Sequence, residues 1–313
     1  MIQKRTIGIV GTGNVGVAAA YAIFMQGLAS EIILIDKSLK RAEGEAMDLI
    51  HGQAFYEAIT VRAGDYRDLS SAQLVVITAG VAQKPGETRL DLLNRNAAVF
   101  REIVGELDQH SPRSVLVIAS NPVDILTYVT QKISRRDPSR VIGTGTMLDT
   151  GRFRALLGAY YGVDPRSVHA YILGEHGDTE VPAWSMANIG GVSLVDNTVL
   201  GKSFQAEEMS RLFEQVRDAA YEIIDRKGYT NTAIGMAIVR LVKAVIEDQK
   251  SVLPVSRMLN GQYGIEDVCL SIPSVIGING LGDAILPALN DTEYGALRYS
   301  AQTLRESING ISI

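Results

Sequence analysis

A glycine-rich turn between an apolar run and a helical pattern constrains the fold of this chain most strongly. Residues 6–10 read TIGIV, a short apolar run that predicts a buried strand. The run stops at the segment Gly11-Thr12-Gly13-Asn14-Val15-Gly16, and a helical pattern follows over residues 17–26. A GxGxxG pattern that follows a strand and opens a helix is typical of a dinucleotide-binding βαβ unit.

The glycines and a downstream acid have separate expected roles. Gly11 permits a tight turn, Gly13 lets the backbone approach a pyrophosphate, and Gly16 lets helix and strand pack closely. Asp36 ends a second apolar run, twenty residues beyond Gly16, where an acid accepts hydrogen bonds from a ribose. Because this acid would repel a 2′-phosphate, the sequence predicts NAD and not NADP. A glycine-rich turn without a ligand is the alternative.

Further apolar runs alternate with helical patterns and predict an α/β fold. The runs at residues 59–62, 74–78, 115–119 and 141–142 indicate parallel strands buried on both faces. We therefore expect an N-terminal Rossmann domain with a doubly wound parallel sheet over residues 1–145. Residues 146–313 are expected to form a C-terminal mixed α+β catalytic domain. Its predicted elements are a strand at 168–173, helices at 205–226, 230–247 and 292–309, and antiparallel strands at 251–258 and 268–276.

A histidine in a glycine-bracketed acidic loop is the candidate proton carrier. The segment is Gly174-Glu175-His176-Gly177-Asp178-Thr179-Glu180. We expect the imidazole of His176 to have a pKa near neutral and to exchange a proton at cellular pH. The alternative is a surface histidine held by a carboxylate. Together with a dinucleotide site, a proton carrier indicates alcohol–carbonyl redox chemistry.

The segment that follows the fourth apolar run is expected to be a mobile lid. It runs from Gly80 to Arg89 and has glycines near both ends. Thr88 is expected to cap the helix that carries Leu90, Leu93 and Ala97. Arg89 lies at the start of that helix, on the side of the lid. The alternative is an arginine that is simply exposed to solvent at the start of a helix.

Five segments together resemble the bacterial, allosteric-type L-lactate dehydrogenase branch of the lactate/malate dehydrogenase superfamily. The resemblance covers nearly the whole chain. The segments are Gly11-Thr12-Gly13-Asn14-Val15-Gly16, Gln83-Lys84-Pro85-Gly86-Glu87-Thr88-Arg89, Ser120-Asn121-Pro122-Val123-Asp124, Leu148-Asp149-Thr150-Gly151-Arg152 and Gly174-Glu175-His176-Gly177-Asp178. The resemblance implies a reversible, NAD-dependent interconversion of pyruvate and (S)-lactate.

The resemblance also implies roles for individual residues. The implied catalytic residues are His176, Asp149 and Arg89. The implied substrate-binding residues are Gln83, Arg89, Asn121, Arg152 and Thr230. For the cofactor it adds Val15, Arg41, Tyr66, Gly80, Asn121, Thr144 and Ile234 to Gly11, Gly13, Gly16 and Asp36. On residues alone, Asp149 and Arg152 also fit a surface pair at i, i+3 on one helix.

Gln83 and an Arg–His pair carry the implied specificity and regulation. In the malate branch the Gln83 position is arginine, which pairs a second carboxylate, so the neutral amide favours pyruvate over oxaloacetate. Arg154 and His169 match positions that bind fructose 1,6-bisphosphate across a two-fold subunit interface, and the family is usually a homotetramer, a dimer of dimers. The alternative role of Arg154 is an ion pair with a carboxylate at the interface. The alternative for His169 is a strand residue whose hydrogen bonds are satisfied locally.

The composition of the chain narrows the classes of protein to which it can belong. A net charge of −5 gives no basic excess for nucleic acid or a membrane surface. The single cysteine, Cys269, rules out a disulfide framework and fits a reducing compartment, so we expect a cytoplasmic protein without a metal site. Malate dehydrogenase, an NAD-dependent glycoside hydrolase and a non-enzymatic NAD-binding protein are the competing interpretations.

Overall fold

The fold is described from a computed structural model, which covers residues 5–56, 58–81 and 86–311, apart from the side chain of Arg89. The predicted parallel sheet is present in the first half. Its strands pair side by side in the order β3-β2-β1-β4-β5-β6, all parallel. They are β1 (Thr6–Val10), β2 (Glu31–Ile35), β3 (Thr60–Ala63), β4 (Leu74–Ile77), β5 (Val115–Ile118) and β6 (Val141–Gly143). Because the strand order reverses at β1 and β4, a crevice opens at their carboxyl ends.

Helices cover both faces of this sheet. The described residues contain eight α-helices, which are α1 (Asn14–Met25), α2 (Leu39–His51), α3 (Arg89–His110), α4 (Val123–Ile133), α5 (Met147–Tyr161), α6 (Ala206–Lys227), α7 (Thr232–Ile246) and α8 (Asp291–Ile308). Helices α3, α4 and α8 bury apolar side chains on one face, and α1, α2 and α7 do so on the other. The sheet is therefore sandwiched, as the continuous apolar strands predicted.

The sheet continues into the second half of the chain, which the sequence did not predict. Strands β12 (Ser251–Asn260), β13 (Glu266–Gly277) and β14 (Gly280–Ala284) form an antiparallel ladder. Strand β12 pairs with β6 through Ser256 and Gly143, which completes a nine-stranded sheet. Helix α7 also lies so close to α1 that a Cβ at Gly235 would be 3.1 Å from the Ala18 carbonyl carbon. The two halves thus share both a sheet and an apolar core.

The single strand predicted over residues 168–173 is wrong. The segment forms β7 (Val168–His169) and β8 (Ile172–Leu173), which belong to separate small sheets. The chain changes partners here, and the N–H of Ile172 donates to the Thr150 hydroxyl at 2.9 Å. The remaining short strands are β9 (Val181–Pro182), β10 (Asn188–Ile189) and β11 (Val192–Ser193).

Two helix faces test the apolar patterns directly. The face of α8 formed by Leu297, Ala301, Leu304 and Ile308 is buried as expected. Leu93 and Ala97 of α3 are buried, but Leu90 is 45% exposed because the first turn of the helix precedes the core. Within the described ranges, no helix combines the length and apolarity needed to cross a bilayer.

Candidate active site

The glycine loop leaves an open space at the start of α1. Gly11 has a φ of +98°, which suits glycine, and a Cβ at Gly16 would clash with the Gly11 carbonyl oxygen. A Cβ at Gly13 would meet no atom within 4 Å. No side chain caps α1, so the N–H groups of its first turn are available to an anion. This cradle fits a dinucleotide pyrophosphate.

Asp36 presents a charged carboxylate beside this loop. Its Oδ2 accepts hydrogen bonds from the N–H and the hydroxyl of Thr12 at 2.8 and 2.9 Å, and its Oδ1 accepts from the Ser38 N–H at 3.0 Å. Burial opposes ionisation, but these bonds and the charge of Arg41 outweigh it and lower the pKa of Asp36. The carboxylate is therefore ionised at neutral pH and suited to accept hydrogen bonds from a ribose diol.

The other predicted cofactor residues lie on the elements that surround this crevice. Thr144 is buried just beyond β6, and its N–H donates to the Ile118 carbonyl of β5 at 2.8 Å. Ile234 lies in the first turn of α7 and, like Val15, is half-buried against the core under α1. Gly80 and Arg41 are exposed. Tyr66 packs against the core under α3, where burial and nearby glutamates raise its pKa to about 12.

Replacing Asp36 with alanine is expected to raise KM for NADH and to relax discrimination against NADPH. The change removes the ribose acceptor and the negative charge that repels a 2′-phosphate. Steady-state kinetics with both cofactors measure the effect, and Glu207→Ala, which removes a carboxylate that is 95% exposed on α6, is the control. An unchanged NADH/NADPH preference would contradict the role assigned to Asp36.

One buried carboxylate joins the two candidate catalytic cations. His176 Nδ1 lies 2.6 Å from Asp149 Oδ2, and Arg152 Nη1 donates to Asp149 Oδ1 at 3.0 Å. The Asp149 side chain is 4% exposed, whereas those of His176 and Arg152 are 24% and 14% exposed. Asp149 and Arg152 are thus the i, i+3 pair that the sequence allows, but Asp149 is buried and also contacts the histidine.

The expected near-neutral pKa of His176 is wrong. Burial opposes the charged imidazole, but the negative charges of Asp149, Asp124 and Glu180 raise its pKa to about 9. At neutral pH the imidazole is therefore protonated and ready to donate. The pKa of His176 differs from the expected one because carboxylates that lie far apart in the sequence surround its imidazole ring.

Glu180 is a further buried carboxyl group in this cluster. Burial and the neighbouring charge of Asp149 raise its pKa to about 8, although the charges of His176, Arg152 and Arg217 oppose that rise. Its Oε1 is buried and has no hydrogen-bond partner among the described residues. The sequence indicated only that it is an acidic neighbour of His176.

Family models match both halves of the chain. The model of the lactate/malate dehydrogenase NAD-binding domain matches residues 5–143, and that of the family's α/β C-terminal domain matches residues 146–312. The chain belongs to the lactate/malate dehydrogenase family. The predicted NAD cofactor and the predicted fold class are thereby confirmed.

Full-length relatives lie within the lactate branch of this family. The chain is 62% identical to L-lactate dehydrogenase of Salinibacter ruber over 98% of both chains. It is 46% identical to L-lactate dehydrogenase 1 of Clostridium acetobutylicum, over 99% of this chain and 100% of that one. Among solved structures, the ligand-bound minor L-lactate dehydrogenase of Enterococcus mundtii superposes with a TM-score of 0.95 at 45% identity, over 99% of both chains. These likenesses remove the glycoside hydrolase interpretation.

The predicted substrate residues of this family site are only partly described. Asn121 follows β5 at its carboxyl end and is exposed, and Thr230 lies half-buried between α6 and α7. Thr88 caps α3 through a capping box with Asp91, as predicted. Gln83 and the side chain of Arg89 lie outside the described part of the chain. No metal-binding cluster of His, Cys, Asp or Glu occurs within the residues described.

Of the two predicted regulatory residues, Arg154 contacts the segment that follows His169. Arg154 Nε donates to the Ala170 carbonyl at 2.9 Å, and its guanidinium carbon lies 4.9 Å from the centroid of the Tyr171 ring. His169, the preceding residue, is exposed at the end of β7. Arg154 is therefore directed to the β7–β8 segment and not to the Asp149 carboxylate.

Sequence reasoning gave no role to Asp124, which contacts the catalytic loop directly. Its Oδ2 accepts a hydrogen bond from the backbone N–H of His176 at 2.7 Å. The two residues are 52 positions apart. The only signal in the sequence was that Asp124 closes the Ser120–Asp124 segment on which part of the resemblance rests.

Proposed function

We propose that this protein is an NAD-dependent L-lactate dehydrogenase, which interconverts pyruvate and L-lactate. The observation that carries the proposal is the contact of His176 and Arg152 with one buried carboxylate, in a chain with an NAD-binding domain. A proton donor and a carboxylate anchor side by side suit a 2-oxo acid. When bound, NADH supplies the hydride that the substrate carbon accepts.

His176 donates the proton to the substrate carbonyl oxygen. Its Nδ1 contacts Asp149, so Nε2 is the ring nitrogen that faces the substrate. Asp149 fixes the orientation of the ring and stabilises the imidazolium, as carboxylate partners of catalytic histidines do. In the reverse direction the neutral imidazole takes the hydroxyl proton of lactate.

Arg152 binds the substrate carboxylate. Its planar guanidinium matches a carboxylate through two parallel hydrogen bonds, which fixes the orientation of the reacting carbon. Its bond to Asp149 holds the side chain inside the site before substrate arrives. Arg89 polarises the carbonyl, Asn121 donates to the same oxygen, Thr230 borders the pocket and Ile234 supports the nicotinamide.

Gln83 selects pyruvate over oxaloacetate in this proposal. A second carboxylate would be desolvated in the closed site without a countercharge there, which costs about 3–5 kcal/mol. The rival within the family is malate dehydrogenase, and the full-length likeness to L-lactate dehydrogenases argues against it. The test follows NADH absorbance with pyruvate and then with oxaloacetate: a higher kcat/KM for oxaloacetate would refute the proposal, and no turnover of either acid would favour a non-enzymatic NAD-binding role.

We further propose that Arg154 and His169 bind fructose 1,6-bisphosphate across a two-fold axis of a homotetramer. Two copies of each residue would bring four cationic or protonatable groups together, and these repel one another until a bisphosphate neutralises them. Binding would favour the subunit arrangement in which Arg152 is well placed. The hydrogen bond of Arg154 to the carbonyl of Ala170, the residue after His169, supports a shared anion site.

Millimolar fructose 1,6-bisphosphate is expected to lower KM for pyruvate in the wild type and to have no effect in Arg154→Gln. The substitution removes the anion-binding charge, whereas Arg166→Gln removes an exposed arginine that is paired with Asp164 and serves as the control. Initial rates with and without effector measure the difference. Equal effector dependence in wild type and Arg154→Gln, or none in the wild type, would end the hypothesis.

An apolar groove supports the proposed oligomer. It has a volume of about 970 Å³ and lies between α1, α2 and α7. Two of its lining residues, Tyr21 and Met236, are 56% and 63% exposed. Sedimentation or light scattering tests the tetramer directly.

The proposal also includes the division into two domains between residues 145 and 146. It further includes a cytoplasmic location, which suits the one buried free cysteine.

A further inference from the structure

A serine on the last helix lies against the catalytic loop, residues 174–180. Ser300 is on α8 and is fully buried. The backbone N–H of Glu175 donates to its Oγ at 2.8 Å, although the two residues are 125 positions apart. A Cβ at Gly174 would lie 2.8 Å from the same oxygen, so the helix and the loop backbone are in direct contact. A side chain from the end of the chain therefore fixes the start of this loop.

The same hydroxyl also contacts the far side of the loop. Thr179 Oγ1 lies 3.1 Å from Ser300 Oγ, and the Thr179 hydroxyl donates to the carboxylate of Glu175 as well. Glu175, Ser300 and Thr179 thus form a closed set of hydrogen bonds, which starts at the N–H of Glu175 and returns to its carboxylate. We call this set the Ser300 ring. His176 lies in the sequence between its two loop members.

The hydroxyl of Ser300 differs from the other hydroxyls on this helix. Thr303 and Ser307 donate to carbonyls of α8 four residues earlier, both at 3.1 Å, which is the usual local partner of a helical hydroxyl. Ser300 lies among the buried residues of α8, where a hydroxyl is favourable only if it is hydrogen-bonded. An alanine would fill this helix position but would leave the Glu175 N–H without its acceptor. The hydroxyl is therefore matched to the loop and not to its own helix.

We propose that Ser300 is a positioning residue of the active site: its hydroxyl joins the two sides of the catalytic loop and so holds the imidazole of His176 within reach of the substrate carbonyl. The inference deepens the proposed function and rests on it. Asp149 orients the imidazole, whereas the Ser300 ring fixes the backbone that carries it. A general acid has to lie within about 2.6–3.2 Å of the oxygen that it protonates, so a small shift of this backbone weakens catalysis.

Ser300→Ala removes the shared hydroxyl. We expect kcat for pyruvate to fall by about 10–10²-fold, because a displacement of about 1 Å at a catalytic group costs up to about 10²-fold. The affinity for NADH, measured by fluorescence titration, should stay at the wild-type value, because the glycine loop and Asp36 lie on other elements. Ser307→Ala, which removes a hydroxyl that bonds to its own helix, is the control and should retain the wild-type kcat.

Single-turnover kinetics separate positioning from a loss of folded protein. Enzyme loaded with NADH is mixed with saturating pyruvate, and the absorbance of NADH is followed. The amplitude reports the fraction of active sites, and the rate constant reports the reaction within each site. In Ser300→Ala the rate constant should fall with the amplitude retained, and NADH deuterated at the transferred position should slow it further. A reduced amplitude with the wild-type rate constant would show a merely structural role.

Thr179 offers a matched pair of variants that tests the ring without changing α8. Thr179→Val removes the hydroxyl and keeps the shape of the side chain, whereas Thr179→Ser keeps the hydroxyl. The single-turnover rate constant should fall in the valine variant and stay near the wild-type value in the serine variant. Equal losses in both would show that the shape of Thr179 matters and not its hydrogen bonds. The pair supplies the same test if Ser300→Ala does not fold.

Hydrogen exchange supplies a readout that does not depend on turnover. Mass spectrometry of peptides that cover residues 174–180 should show faster amide exchange in Ser300→Ala than in the wild type, with peptides from α1 unchanged. Unchanged exchange in the loop would refute the Ser300 ring.

The two proposals fail in different ways. If the wild type reduces pyruvate and Ser300→Ala keeps the single-turnover rate constant, the role of Ser300 is refuted and the proposed function stands. If the wild type reduces neither pyruvate nor oxaloacetate, the proposed function fails. The exchange measurement then still decides whether Ser300 holds the loop.

Discussion

Replacing His176 with alanine is expected to lower kcat for pyruvate reduction by about 10²–10⁴-fold, the usual contribution of a positioned general acid. The imidazole is held by Asp149 at 2.6 Å and has a pKa of about 9, so it carries the transferable proton at neutral pH. The glycine loop and Asp36 lie on other elements, so NADH binding should persist. Stopped-flow or steady-state rates give kcat, and NADH fluorescence titration gives the affinity.

His51→Ala provides a matched control, because this histidine is exposed at the end of α2 and contacts none of the catalytic residues named here. It should retain the wild-type kcat. If His176→Ala kept more than a few per cent of wild-type kcat, another group would have to donate the proton and the assignment would be wrong. Loss of NADH binding together with kcat would instead indicate a damaged fold.

Replacing Gln83 with arginine is expected to raise the ratio of kcat/KM for oxaloacetate over that for pyruvate by about 10²–10³-fold. A shift of this size corresponds to giving a countercharge to a carboxylate that is otherwise desolvated without one. The physical reason is the difference between the two substrates, which is one additional carboxylate. Arg152 binds the carboxylate that both acids share, so it cannot discriminate between them. A new guanidinium at the lid position would pair the second one.

Gln83→Met separates charge from size, because it keeps a neutral side chain of similar length. It should leave pyruvate preferred, whereas Gln83→Arg should favour oxaloacetate. Parallel NADH-linked assays with both acids measure the two ratios. Equal ratios in wild type and Gln83→Arg would remove Gln83 from the specificity mechanism and reopen the malate interpretation.

Local signals in the sequence predicted the first half of the fold well. The apolar runs and the glycine spacing placed β1, β2 and α1 within a few residues, because backbone conformation and burial there depend on near neighbours in the chain. The positions of Gly11 and Gly16 required tight contacts, and the structure contains them. The capping of α3 by Thr88 was likewise readable from a short pattern.

Features set by distant segments were not readable in this way. The contact of Asp124 with the His176 N–H joins residues 52 positions apart, and no periodicity encodes it. The pKa of His176 depends on carboxylates that three separate segments bring to one ring, which is why a neutral value was expected and about 9 was found. The split between β7 and β8 follows partners that are distant in the sequence, because β7 pairs with β10 and β8 pairs with β9.

The sheet that runs through both halves makes the chain one cooperative unit. A fragment that stopped at residue 145 would leave β6 as an open edge and would expose the face that α7 covers, with Ile238 and Val242 gone from the core. Open edges recruit other strands, so such a fragment invites aggregation and not independent folding. The N-terminal half therefore depends on the C-terminal half to cover its open strand edge and its apolar face. Heat should unfold the two halves together in a single transition.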